Sequence, residues 1–183
     1  MRRLLLILML YGCTTVPPAR PPAPPAPSAQ QFAMNGRISI NQQGTRQSAG
    51  LRWTHTTQSD EILLLAPLGQ TVARVYSDQQ HASLDNGNQH YQAENVETLM
   101  QQLLGWYLPM AGLHSWVLGR EDNAAPALIE RDLHGQLSLL RQNGWEIHYL
   151  RYADTQPDSL PTRMQLKHNG MELQLLIDEW DTP

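Results

Sequence analysis

The chain has 183 residues, 41% hydrophobic and 16% charged, with 13 basic against 17 acidic residues, a formal net charge of −4 and one cysteine, a profile that fits one globular domain. The acidic balance and a single lysine, Lys167, exclude a nucleic-acid-binding protein, which needs a basic face to neutralise phosphates. One cysteine excludes an intramolecular disulfide and cysteine-based zinc sites, so the fold must hold by packing alone.

The N-terminus reads as an export signal over residues 1–12. Arg2 and Arg3 form a basic start and Leu4 to Leu10 an apolar run, far short of the roughly 20 residues that span a bilayer. Gly12-Cys13 at its end resembles the lipobox of bacterial lipoproteins, although Tyr11 stands where a small or aliphatic residue is usual. That resemblance implies cleavage before Cys13 and acylation of its thiol and amino group. Several chains make a lasting anchor because each buried CH₂ contributes about 0.8 kcal/mol, whereas one chain binds marginally. Without Arg2 and Arg3 the balance is 11 basic against 17 acidic residues, or −6. Thr14 follows the cysteine where an Asp would signal inner-membrane retention, so the outer membrane is the expected destination.

Residues 13–30 read as a tether. Seven of the thirteen prolines lie between Pro17 and Pro27, a composition that favours extended polyproline II and buries no core. The folded domain is therefore expected over residues 31–183.

Strand patterns dominate both ends of that domain. Ile38 and Ile40 alternate with polar neighbours, Ala49, Leu51 and Trp53 alternate again, Ile62 to Leu65 form a short apolar run, and Gln70 to Tyr76 read as the next strand. Gln43-Gly44, Asn86-Gly87, Asn143-Gly144 and Asn169-Gly170 stand between such runs, and pairs of this kind favour tight hairpins because both turn positions need positive φ. A two-residue turn at Asn169-Gly170 pairs Leu166 with Leu173 and Met164 with Leu175 on one face, leaving Arg163, Gln165, Glu172 and Gln174 on the other.

The middle of the chain supplies the cover. Val96, Leu99, Met100, Leu103 and Leu104 fall at helical spacing, with Asn95 as N-cap and Gly105 as stop. After Trp106 to Leu108, Pro109 opens a second short helix carrying Met110, Leu113, Trp116 and Val117 and ending at Gly119. The expected fold class is α+β: about ten or eleven strands in a strongly curved antiparallel sheet, a half-barrel covered by short helices that encloses an apolar cavity.

No catalytic motif is visible: there is no His-Glu-x-x-His, no Gly-x-Ser-x-Gly and no phosphate-cradling glycine loop. The seven histidines are scattered without a metal spacing and read mostly as surface residues. His114 beside Ser115 is a weak candidate pair, since adjacent helical residues point in different directions. Asp178, Glu179 and Asp181 around Trp180 read as a solvated strand end. No catalytic residue, metal or cofactor is expected, and a hydrolase has no clustered acid, base or nucleophile to rest on.

The order of landmarks carries a resemblance. Phe32 and Gly36-Arg37-Ile38 are followed by Leu51-Arg52-Trp53, Leu65-Ala66-Pro67-Leu68-Gly69, Leu104-Gly105-Trp106-Tyr107-Leu108-Pro109, Leu113 with Trp116 and Gly119, and Gln142-Asn143-Gly144-Trp145 with Tyr149 and Tyr152. Leu160-Pro161 with Arg163 and Leu166, then Leu176 with Trp180, complete the series. Together they resemble the LolB family of outer-membrane lipoproteins. The Pro-rich segment leaves no room for the amphipathic helix that family members can carry before the first strand.

The resemblance implies a periplasm-facing, lipid-anchored monomer that accepts acylated lipoproteins from the soluble carrier LolA and inserts them into the outer membrane without ATP. Partners are then LolA, acylated lipoproteins and outer-membrane lipid, and Pro67-Leu68-Gly69 forms a membrane-inserting loop. The expected acyl-chain lining is Ile38, Ile40, Leu51, Trp53, Leu64, Leu99, Leu103, Trp116, Trp145, Ile147, Leu173 and Leu175. The other class left open is a tethered structural or interaction lipoprotein with no transfer role.

Overall fold

The computed structural model describes residues 31–104 and 109–181. The export signal, Cys13, the Pro-rich segment and the Gly105–Leu108 landmark lie outside the described residues.

Six strands come first: β1 (Phe32–Gln42), β2 (Thr45–His55), β3 (Ser59–Leu65), β4 (Thr71–Asp78), β5 (Ala82–Asp85) and β6 (His90–Ala93). Helices α1 (Val96–Leu104) and α2 (Met110–Val117) follow, then β7 (Ala127–Arg131), β8 (Leu137–Gln142), β9 (Trp145–Tyr152), β10 (Pro161–His168) and β11 (Met171–Asp181). All eleven strands form one antiparallel sheet in the order β6-β5-β4-β3-β2-β1-β11-β10-β9-β8-β7, curved and open rather than closed. Each half is a meander of neighbouring hairpins, and the β1·β11 pairing joins the halves.

Three of the four expected tight turns form as the chemistry requires. Gln43, Asn143 and Asn169 take φ of 51°, 52° and 46°, each followed by a glycine with positive φ, the two-residue geometry that matches strand twist. The register after Asn169-Gly170 pairs Leu166 with Leu173 and Met164 with Leu175. Asn86-Gly87 is corrected: only Gly87 has positive φ. Asn86 instead begins a wider loop, its Oδ1 accepting from the Gln89 N–H at 3.2 Å and its own N–H donating to the Gln89 carbonyl at 3.1 Å.

A bulge at the β1·β11 seam sets which side chains face inward. Asn35 pairs with Glu179 but Gly36 with Ile177, so Asp178 is an extra residue on β11. Odd residues Leu173, Leu175 and Ile177 are buried before the bulge, and even Trp180 packs against the core after it. Asp178 turns outward to Arg37 at 3.2 Å. Glu179 and Asp181 are likewise exposed.

The helices cover the concave face. Asn95 caps α1, its Oδ1 accepting from the Thr98 N–H at 2.8 Å, and Val96 and Leu99 bury the inner stripe. Glu97 accepts from the Met110 N–H at 3.0 Å and so ties α1 to the start of α2. At the end of α2, Gly119 adopts φ +71° while its N–H donates to the Trp116 carbonyl and that of Arg120 to the Ser115 carbonyl, each at 3.0 Å, a glycine-terminated helix end. No described helix is long and apolar enough to cross a membrane.

Candidate functional site

Between the helices and the sheet, from β5 across the β1·β11 seam to β10, lies an apolar cavity of about 310 Å³, at the lower end of the roughly 300–1,000 Å³ typical of small-molecule sites. Its sheet wall is built rung by rung from inward-facing pairs: Ile40 with Leu173, Ile38 with Leu175, Leu51 with Leu64, Trp53 with Ile62, Leu64 with Ala73 and Val75 with Leu84. Met34 and Leu166 complete that wall, and Val96, Leu99, Met100, Met110, Leu113 and Val117 cover it from the helices. Among the described residues, Asn86 is the one polar member of the lining.

Of the twelve residues expected to line such a cavity, Ile38, Ile40, Leu51, Trp53, Leu64, Leu99, Leu173 and Leu175 do so. Leu103, Trp116, Trp145 and Ile147 are corrections. Leu103 packs half-buried against the core outside the lining. Trp116, Trp145 and Ile147 are essentially inaccessible. The Trp116 and Trp145 rings lie 6.1 Å apart and Trp116 donates to Gln142 at 2.8 Å, so this part of the structure is filled with side chains. Alternation identifies an inward face; it does not say which part of that face stays hollow.

The Pro67-Leu68-Gly69 loop joins β3 to β4. The Gly69 N–H donates to the Ala66 carbonyl and the Ala66 N–H to that of Gln70, both at 2.8 Å, with Gly69 at φ +83°. This tight turn holds Leu68 at its tip, 86% exposed. Leu133, at the β7–β8 turn, is also fully exposed.

A polar cluster not anticipated from the sequence stands at the end of the cavity wall. His55 pairs directly with Asp60 across β2·β3, the next inward-facing pair beyond Trp53 and Ile62. The Asp60 Oδ1 lies 3.0 Å from His55 Nδ1, 3.0 Å from His114 Nε2 and 2.8 Å from Trp53 Nε1, and its Oδ2 lies 3.0 Å from His114 Nε2. Burial raises the Asp60 carboxyl, but the His114 and His55 hydrogen bonds, the attraction of His114 and the Trp53 bond outweigh it and hold the group far below the usual carboxylate range. His114 therefore partners Asp60, and His55 is buried, contrary to the expectation for surface histidines. The signal was present: period-two alternation puts His55 on the face of Leu51 and Trp53, and Asp60 on that of Ile62 and Leu64.

The family model for the outer membrane lipoprotein LolB matches residues 30–180. The chain belongs to the LolB family. It is 35% identical to the outer-membrane lipoprotein LolB of Nitrosomonas europaea, the alignment covering 96% of this chain and 89% of that one. It is also 35% identical to that of Thiobacillus denitrificans, over 100% of this chain and 99% of the relative. Among solved structures, a DUF1329 family protein from Desulfovibrio piger shares the fold with a TM-score of 0.50 at 8% identity, covering 85% of this chain and 87% of that one. A domain from Vibrio parahaemolyticus does so with a TM-score of 0.51 at 7% identity, covering 85% and 86%. Membership places this LolB-family chain in lipoprotein localisation at the outer membrane.

Proposed function

We propose that this chain accepts acylated lipoproteins from the periplasmic carrier LolA, shelters their acyl chains in the apolar cavity, and releases them into the outer membrane. The observation that carries this reading is the helix-covered cavity of about 310 Å³, lined by apolar side chains apart from Asn86, in a LolB-family chain. A triacylated protein cannot cross water unaided, since each exposed CH₂ costs about 0.8 kcal/mol, and a shielded apolar site offsets that cost. Direction comes from rising affinity for the acyl chains from carrier to receptor to bilayer, without ATP. Cys13 is the lipid anchor, residues 13–30 are the tether, and Leu68 is the point of transient contact with the bilayer.

The test uses a secreted form starting at Ser28 and lacking Cys13. It is expected to be a soluble monomer that binds an apolar fluorescent probe saturably and takes an acylated lipoprotein from LolA in a pull-down. A folded domain that binds neither leaves only a tethered structural lipoprotein.

A further inference from the structure

The polar cluster at the rim of the cavity has a donor set that the family reading does not use. His55 on β2, Asp60 on β3 and His114 on α2 present two imidazole nitrogens and a carboxylate within 4.8 Å of one another. Each nitrogen stands 3.0 Å from a carboxylate oxygen. Donors bound to one zinc-like ion at about 2.0–2.2 Å are themselves separated by about 3.0–3.5 Å, so a small retreat of the Asp60 carboxylate opens a coordination centre. The two rings stack with centroids 3.9 Å apart and planes 26° apart, and the hydrogen bonds place one nitrogen of each beside the same carboxylate.

Access and surroundings fit. A polar pocket of about 550 Å³ on the far side of α2 reaches both His55 and His114. Its charged lining is balanced, two basic residues, Arg120 and Arg131, against two acidic ones, Glu121 and Asp158. Trp53 donates to the Asp60 Oδ1 that both imidazoles approach and so helps fix the orientation of the carboxylate, as partners around a metal ligand do. His55 is 6% exposed and its Nε2 has no hydrogen-bond partner among the described residues. That nitrogen is free to carry the ring proton when Nδ1 binds an ion. Two nitrogens and one oxygen suit borderline divalent cations; calcium and magnesium require oxygen-rich shells.

We propose that His55, Asp60 and His114 form a binding site for a divalent cation of the zinc class, which staples α2, part of the cavity's cover, to the β2–β3 wall. The proposal stands whether or not the cavity carries acyl chains.

The full chain, purified in detergent and stripped with a chelator, is titrated with Zn²⁺ by calorimetry and with Co²⁺ by visible absorption, and its melting is followed with and without Zn²⁺. The expected result is one equivalent bound per chain, Co²⁺ bands more intense than those of the hexaaquo ion, and a higher Tm with Zn²⁺. His114→Gln, which keeps an N–H donor toward Asp60 but removes the imidazole ligand, is expected to weaken Zn²⁺ at least tenfold, while His90→Ala leaves it unchanged. Should His114→Gln misfold by circular dichroism, His55→Gln is read in the same way. No saturable binding by the unsubstituted chain, an aquo-like Co²⁺ spectrum, or undiminished affinity in a folded His114→Gln or His55→Gln variant overturns the site.

Discussion

Trp116 on α2 donates its indole N–H to the Gln142 Oε1 on β8 at 2.8 Å. The same amide accepts from the Asp122 N–H at 2.9 Å and donates to the Asp122 and Ala125 carbonyls, each at 2.7 Å. One buried side chain thus fastens the covering helix and the connection after it to the sheet. Gln142→Leu preserves bulk but strands the indole N–H and several backbone groups, and each unsatisfied group costs about 1–3 kcal/mol. A loss of about 3 kcal/mol or more is expected in urea unfolding, and a near-neutral result would show that water or rearrangement replaces the amide.

The seam between the two halves of the sheet depends on a missing side chain. A Cβ added at Gly36 would stand 2.1 Å from the Leu176 carbonyl oxygen, because the bulge at Asp178 brings the β11 backbone against β1. Gly36→Ala is expected to cost about 1–3 kcal/mol or more as the strands part. Thermal melting compared with Gly170→Ala, where nothing lies within 4 Å but φ is +78°, separates clash from backbone strain. The seam variant should also perturb amide exchange in β1 and β11 together.

Much of this architecture was legible because it is local. The Asn169-Gly170 turn fixes register within a few residues, and alternation on either side then names the inward face. Asn95 and Gly119 similarly bound helical stripes by capping chemistry that acts within one turn. What was illegible depends on distant pairing. His114 lies 54 positions from Asp60, so no spacing rule connects them, and their junction exists only because α2 folds back over β2 and β3. The misplacement of Trp116, Trp145 and Ile147 has the same origin: they face inward, but α2 and Gln142 fill their end of the concave face, and hollow and solid regions share one alternation pattern.

Alkaline pH tests the burial of two tyrosines. Burial pushes the Tyr149 phenol well above its ordinary value of 10.0, with Tyr152 adding to the effect, and burial chiefly raises Tyr152 too. Their hydroxyls donate to the Trp116 carbonyl at 2.9 Å and the Leu137 carbonyl at 2.8 Å. The fold therefore keeps these protons where the unfolded chain loses them. Their contribution is intact below about pH 10 and declines as the pH rises above it. In a spectrophotometric titration both should resist ionisation until the chain unfolds. Tyr149→Phe and Tyr152→Phe should each remove one late-titrating group, and early reversible ionisation of all tyrosines would contradict the burial.

The cavity can be filled from one small residue of its lining. Ala73 contributes a small side chain to the lining opposite Leu64. Ala73→Phe is expected to fill part of the space, keep stability unchanged or raise it by up to about 2 kcal/mol, and weaken an apolar fluorescent probe at least tenfold. Equal probe binding by the filled variant would place the probe elsewhere and remove the main support for acyl-chain uptake.

Leu68 is the sharpest test of delivery. Its turn is closed by backbone hydrogen bonds on either side of the tip, so the side chain contributes nothing to the core. Full burial of one leucine in lipid is worth about 1.5–3 kcal/mol, enough for transient contact and too little for anchoring. Leu68→Glu should leave melting within about 0.5 kcal/mol of the parent and leave probe binding and uptake from LolA unchanged. Release of lipoprotein into liposomes should fall at least tenfold, because a carboxylate opposes entry into the acyl region. Leu133→Glu supplies the control, since that side chain is also largely exposed and stands on a different turn. Loss of delivery in Leu68→Glu alone assigns the step to this loop. An equal loss in both variants would reduce the effect to surface charge, and normal delivery by Leu68→Glu would leave the tip as an ordinary exposed leucine.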